Sequence, residues 1–178
     1  MARASPCSHL KGLLMKRVSL LAALLAIIPF FAQAATLECP SEAPIASVTI
    51  PDTWNPKETI SGIEATSPDS AIYFSIDVAT DKSMDKVIED AVNFLTENGV
   101  TLDAASQRDS GDVEINGMTF GSIEFDGTDS DGAVEISLGF ASPAEGKMLV
   151  VTYWGTKATQ DAHQTDLVSI LTSLKPSP

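Results

Sequence analysis

Between Val100 and Trp154 the chain is a succession of β-prone runs separated by turn signals, a pattern that points to hairpin-linked strands. Residues 100–102 start a strand, and Val113 and Ile115 lead into Asn116-Gly117, the strongest short-range signal for a two-residue hairpin turn. A strand is predicted over 118–126 and a polar turn over 127–132, with Gly117, Gly121, Gly127 and Gly132 spaced as hairpin punctuation. Residues 133–141 set Val134, Ile136, Leu138 and Phe140 against Glu135 and Ser137, the period-two pattern of a strand with one buried and one solvated face. After a turn over 142–146, residues 148–154 are nearly all apolar or β-branched, so they are expected to form the central strand.

The first half adds strands and a helix. Residues 47–50 are β-prone, and Pro51-Asp52 and Asn55-Pro56 then break the chain into a turn with Trp54 between the breakers. A short strand is expected over 60–65. Over 71–78, Ile72, Phe74, Ile76 and Val78 alternate with Tyr73, Ser75 and Asp77. The apolar face of that strand needs a cover, and a helix follows at once: Ser83 is placed to cap it, and Met84, Val87, Ile88, Ala91, Phe94 and Leu95 recur along one helical face. Asp85, Glu89 and Asp90 suit its early turns, and Asn98-Gly99 ends it. At the far end Thr156 is placed to cap a last helix, with Leu167, Ile170, Leu171 and Leu174 facing inward and Pro176 closing it. The order predicts an α+β fold: an antiparallel β-sheet covered by helices.

The front of the chain reads as an address. Met15-Lys16-Arg17 precede an apolar run from Val18 to Phe31 and then Ala32-Gln33-Ala34, the pattern of a secretory signal peptide cleaved after Ala34. The run is short for a membrane span. Residues 1–14 fit poorly upstream of it, which makes Met15 the natural start. The expectation is therefore a signal peptide over 1–34, a single domain over 35–178, and a periplasmic or secreted location. Cleavage takes four of the 11 basic residues and none of the 24 acidic ones, so seven bases against 24 acids leave −17. A surface that acidic excludes nucleic acid and anionic membrane as partners, since both require a basic face. It also leaves Cys39 without Cys7 as a disulfide partner, and places that thiol in or near a mobile N-terminal segment. Thr36, Leu37 and Glu38 before Cys39 do not make a lipidation site.

Catalytic constellations are sparse. The exported part has a single histidine, His163, three residues before Asp166 on one helix face; no two-histidine metal site can form, and no Gly-x-Ser-x-Gly elbow marks a nucleophile. A solvent-facing histidine near a helix start is the expectation, with a small hydrolase or lyase using His163 as the alternative. Asp126, Asp129 and Asp131 invite calcium, but a loop with Gly132 in sixth place starts at Gly127 and ends at Leu138, without the acidic first residue or the closing Glu. A solvated turn is expected there, with a calcium-responsive envelope protein as a further alternative. Trp54, Tyr153 and Trp154 are the candidate partner-binding residues: an exposed Trp54 beside Trp154 would make an anchoring aromatic patch, and packing is the competing role. Nothing in the sequence calls for a cofactor or a metal.

The segments Ile50-Pro51-Asp52-Thr53-Trp54, Ile115-Asn116-Gly117-Met118, Gly146-Lys147-Met148-Leu149-Val150-Val151-Thr152-Tyr153-Trp154-Gly155 and Ile170-Leu171-Thr172-Ser173-Leu174-Lys175-Pro176 resemble those of small exported bacterial proteins of unknown role, with a layout similar to the PsbP-like fold of the extrinsic photosystem subunit family. The resemblance covers most of residues 35–178. It implies a binding or accessory scaffold and carries over no functional residues. Chains of this look are sometimes labelled histidine kinases in genomes. Here His163-Gln164-Thr165-Asp166-Leu167 is only a faint echo of a phosphoacceptor box, with no nucleotide-binding domain behind it. The function expected is that of an exported, non-enzymatic accessory or binding protein whose partner is a protein or a small ligand.

Overall fold

The computed structural model describes residues 33–177; the expected signal peptide lies almost wholly outside them. In chain order the elements are β1 (Ala34–Cys39), β2 (Ala46–Pro51), a 3₁₀ turn (Asp52–Trp54), β3 (Lys57–Glu58), β4 (Gly62–Thr66), β5 (Ile72–Thr80), α1 (Met84–Glu97), β6 (Thr101–Ile115), β7 (Met118–Asp129), β8 (Gly132–Ala144), β9 (Lys147–Thr156), a second 3₁₀ turn (Gln160–His163), α2 (Gln164–Ser173) and β10 (Lys175–Pro176). Seven strands pair antiparallel in the order β3-β4-β5-β9-β8-β7-β6, so the apolar β9 is the middle strand, as its composition predicts. A second sheet, in the order β1-β2-β10, joins the two ends of the described chain.

The two faces of the large sheet are covered differently. Ile72, Phe74 and Ile76 of β5 and Leu149 and Val151 of β9 share one face. They pack with Val48 and Ile50 of β2, with Trp54, and with Ile170 and Leu174 at the α2 end. The small sheet, the first 3₁₀ turn and α2 therefore cover the face that the sequence assigns to α1. The opposite face carries Tyr73, Ser75, Thr152 and Trp154, and here α1 lies: the Phe94 and Tyr73 rings are 4.7 Å apart, and Leu95 packs with Val100, Val134 and Ile136. Period-two alternation identifies an apolar face but not the element that lands on it, and β2, Trp54 and the α2 end bury Val48, Ile50, Trp54, Ile170 and Leu174 there, where α1 buries Leu95 alone on the other side. The expected stripe of α1 faces inward, yet Leu95 is its one fully buried member. The helix is lightly seated, and a sheet covered by helices overstates the architecture.

Local departures have local causes. Ser83 occupies the N-cap position of α1, but its hydroxyl accepts from Thr80 N–H at 2.9 Å and caps nothing. Thr156 ends β9 instead of starting a helix, because its N–H donates to the Ala71 carbonyl in the ladder. At the β6–β7 turn Asn116 (φ 49°) and Gly117 (φ 83°) both take positive φ, the signature of a type I′ turn. The loop expected over 127–132 shrinks to Ser130-Asp131, since Asp129 pairs with Gly132 and its carboxylate accepts from Asp131 and Gly132 N–H. Gly127 is thus a strand residue: a Cβ there would lie 2.6 Å from Ile136 Cδ1 and 2.7 Å from Thr101 O. The middle of β6 has no apolar alternation to reveal it. It is an edge strand with two register shifts and with Arg108, Asp109 and Asp112 along it, features that discourage pairing with another chain.

Cys39 is fully buried at the end of β1, its Sγ 3.8 Å from the Ile76 carbonyl, so the expectation of a mobile segment is corrected. Among the described residues no helix is long and apolar enough to cross a membrane.

Candidate functional site

His163 closes the second 3₁₀ turn, with its side chain 14% exposed, not solvent-facing. Its Nε2–H donates to the Asp69 carboxylate at 3.0 Å, and its ring meets Trp54 edge-on with centroids 5.7 Å apart. Trp54 Nε1–H donates to Asp166 at 3.1 Å, so His163 and Asp166 share a helix face in order to grip one tryptophan. The Asp69 carboxyl is held well below the usual carboxylate range, first by His163, then by the Ser67 hydroxyl and the Ala71 N–H. Ser67, Asp69 and His163 bring three triad residue types together in the wrong order. The Ser67 hydroxyl donates to Asp69 at 2.7 Å, which places the carboxylate between the serine and the imidazole that would have to take its proton.

The other sequence candidates are also separated. Trp54 has no exposure and belongs to the core beneath the small sheet, so it forms no patch with Trp154. Tyr153 and Trp154 are consecutive in β9 and point to opposite faces: Tyr153 joins the Trp54 side and donates to Gln160, while Trp154 stands beside Tyr73 on the α1 side and donates to Asp129. Asp126 accepts from Lys157 at 2.7 Å and from Arg108 at 3.0 Å, and these cations lower its pKa. With Asp126 tied to two cations and Asp129 closing the hairpin, the three aspartates are not arranged as a calcium loop.

Two hollows lie on the α1 side of the sheet. Between α1 and the β4–β5–β9 part of the sheet lies a cleft of about 310 Å³, within the size range of small-molecule sites. Its walls include Val87, Ala91 and Phe94 from α1 and Tyr73 from β5. Asp77 and Thr152 also line it. A second hollow of about 260 Å³ shares Tyr73 and Phe94 and runs on to Trp154 and the β7–β8 turn. The Thr152 residue is 1% exposed, and its hydroxyl has no hydrogen-bond partner among the described residues. Beside it, the Ser75 hydroxyl donates to Asp77 at 3.2 Å, and the Ser61 hydroxyl donates to the other Asp77 oxygen at 2.6 Å. Burial is the main force pushing the Tyr73 phenol up to about 12; Glu64 and Asp77 push the same way, against the effect of a Ser75 hydrogen bond. Burial, then Asp77, raises the Cys39 thiol likewise to about 12.

The sequence held one usable sign of this site. Thr152 is the polar exception inside an otherwise apolar central strand, where a valine would serve packing equally well. Tyr73, Ser75 and Asp77 read as a solvated face because alternation cannot show that α1 arches over them.

No family model matches the sequence, and no curated protein matches it. Among solved structures, the fold is similar to that of cyanobacterial PsbP from Synechocystis, with a TM-score of 0.55 and 8% identity over 83% of this chain and 94% of that chain. LpqN of Mycobacterium tuberculosis, described as involved in cell envelope biogenesis, gives a TM-score of 0.49 at 12% identity over 82% of this chain and 91% of that one. A Pseudomonas aeruginosa protein of unknown function gives 0.41 at 14% identity, over 82% and 99%. At 8% identity the PsbP likeness establishes the fold alone.

Proposed function

We propose that the chain is an exported, non-catalytic binding protein, with residues 1–34 a signal peptide and residues 35–178 one domain acting in the periplasm or outside the cell, and that its binding site is the cleft between α1 and the sheet. The observation that carries this reading is Thr152, a residue lining the cleft whose buried hydroxyl has no partner among the described residues. A buried hydroxyl without a partner costs free energy, and a strand position is easily filled by valine, so a threonine kept on the cleft wall points to a demand other than stability. Trp154, one of the three candidate partner-binding residues, extends the same face at the second hollow. The hydrolase alternative finds no support in His163, whose Nε2 is committed to Asp69.

A thermal-shift screen of a chemically diverse small-molecule library tests this reading, run in parallel on the protein and on Ala91→Arg, whose longer side chain obstructs the cleft. Compounds that raise the melting temperature of the protein but not of the variant are expected. Equal shifts in both, or no shifts together with ester turnover abolished by His163→Ala, overturn it.

A further inference from the structure

The cleft's chemistry is one-sided. Among the described residues it is lined by three carboxylates, Glu64, Asp77 and Asp90, and by no lysine or arginine. Two of the three are paired with a lysine: Lys57 stands 3.6 Å from Glu64, and Lys86 stands 2.6 Å from Asp90. Asp77 differs. Among the described residues its oxygens receive the Ser61 and Ser75 hydroxyls and no cation. Hydroxyl donors fix a carboxylate's geometry but leave its charge uncompensated, and a half-buried anion beside apolar walls attracts a cation more strongly than one in open water. The aromatic groups have the same preference. Tyr73 and Phe94 are in contact at 4.7 Å, with rings tilted by 31°. A ring face attracts an ammonium group through its quadrupole, and the tyrosine stays a neutral phenol through the physiological range. Val87 and Ala91 add an apolar wall. Thr152 lines the cleft as well, and its buried hydroxyl has no partner among the described residues. The second hollow continues the pattern with Asp129 and Asp131 and, among the described residues, again no basic residue.

We infer that the cleft binds a small organic cation, a protonated amine with an apolar or aromatic body, whose ammonium group pairs with Asp77 and whose body lies against Tyr73, Phe94 and α1. This rests on the reading of the cleft as the binding site and adds the ligand's class. The charge of −17 left by leader removal works in the same direction, drawing cations toward the surface and repelling anions.

Isothermal titration with three compounds of one shape separates the alternatives: phenethylammonium, its neutral counterpart phenethyl alcohol, and the anionic hydrocinnamate. The ammonium is expected to bind at least about tenfold more tightly than the alcohol, a difference of about 1.4 kcal/mol. Asp77→Asn is expected to remove most of that preference. Glu64→Gln serves as a second variant if Asp77→Asn fails to fold, and should weaken the ammonium without affecting the alcohol. If the alcohol or the carboxylate binds as tightly as the ammonium, with binding lost in Ala91→Arg, the cation inference is overturned while the cleft reading stands. Ammonium binding that is unchanged in Asp77→Asn and Ala91→Arg overturns it as well. If none of the three binds, the cation inference falls, and the library screen still decides whether the cleft takes any other ligand.

Discussion

Replacing Thr152 with valine exchanges a hydroxyl for a methyl group at nearly constant shape, in the middle strand of the sheet, at a residue 1% exposed. Among the described residues the hydroxyl has no partner, so no hydrogen bond is lost in the exchange. What disappears is the cost of holding an unsatisfied polar group away from water, about 1–3 kcal/mol. Valine has a strand preference at least equal to that of threonine and adds buried apolar surface. The variant should therefore be more stable than the natural protein by about 1 kcal/mol or more, with a melting temperature higher by about 2–4 °C for each kcal/mol in a domain of this size. Urea denaturation followed by far-UV circular dichroism measures it, with Ser75→Ala as the contrast. The Ser75 hydroxyl donates to Asp77, so its removal should destabilise by about 0.5–1.5 kcal/mol. Two neighbouring hydroxyl deletions on the same wall thus carry opposite signs. A Thr152→Val protein that is no more stable than the natural one refutes the reasoning, because the hydroxyl must then be satisfied.

Three further outcomes follow from the surrounding structure. Asn116→Ala removes two hydrogen bonds from Nδ2 to the Thr172 and Leu174 carbonyls at 2.8 and 2.7 Å and puts alanine at a positive φ, so a loss of about 2–4 kcal/mol is expected in the same urea titration. Asp69, with its pKa depressed in the folded state, contributes stability that is complete above its unfolded value near ~3.9 and is lost as the pH falls through the lower folded value. Stability measured between about pH 2 and pH 5 should accordingly fall less steeply with acid in Asp69→Asn than in the natural protein, and equal slopes would count against the pairing with His163. Cys39, buried and with its thiol pushed up to about 12, should be silent toward an aromatic disulfide reagent at neutral pH in the folded protein and react on addition of guanidinium.

Much of the scaffold was legible in the sequence because its signals are local. Asn116-Gly117 dictates its turn through backbone conformation alone, and the apolar density of residues 148–154 identifies the middle strand wherever the others lie. The inward stripes of α1 and α2 emerge from helical spacing in the same way. What the sequence conceals is non-local. β1 is recognisable as a strand only through its pairing with β2, and β10 is a two-residue strand whose ladder lies more than 120 residues back along the chain. The side of the sheet chosen by α1 depends on competition with Trp54, β2 and α2, and that choice decides whether Tyr73, Ser75 and Asp77 are solvated or enclosed. His163 illustrates the same limit. Its partner Asp69 is 94 residues away, in a turn with no motif, so the residue looked solvent-facing when it is a structural clamp on Trp54.

If the cleft binds as proposed, it is also where stability and binding pull apart. Valine at 152 and a neutral residue at 77 would make a quieter interior, and both would strip the cleft of the groups that distinguish one ligand from another. A crystal structure of the protein grown with saturating phenethylammonium tests this most directly. The account predicts the ammonium nitrogen within hydrogen-bond reach of the Asp77 carboxylate, with the ring against Tyr73 and Phe94 and α1 still seated on the sheet. An empty cleft, with the compound bound elsewhere on the acidic surface, would contradict it.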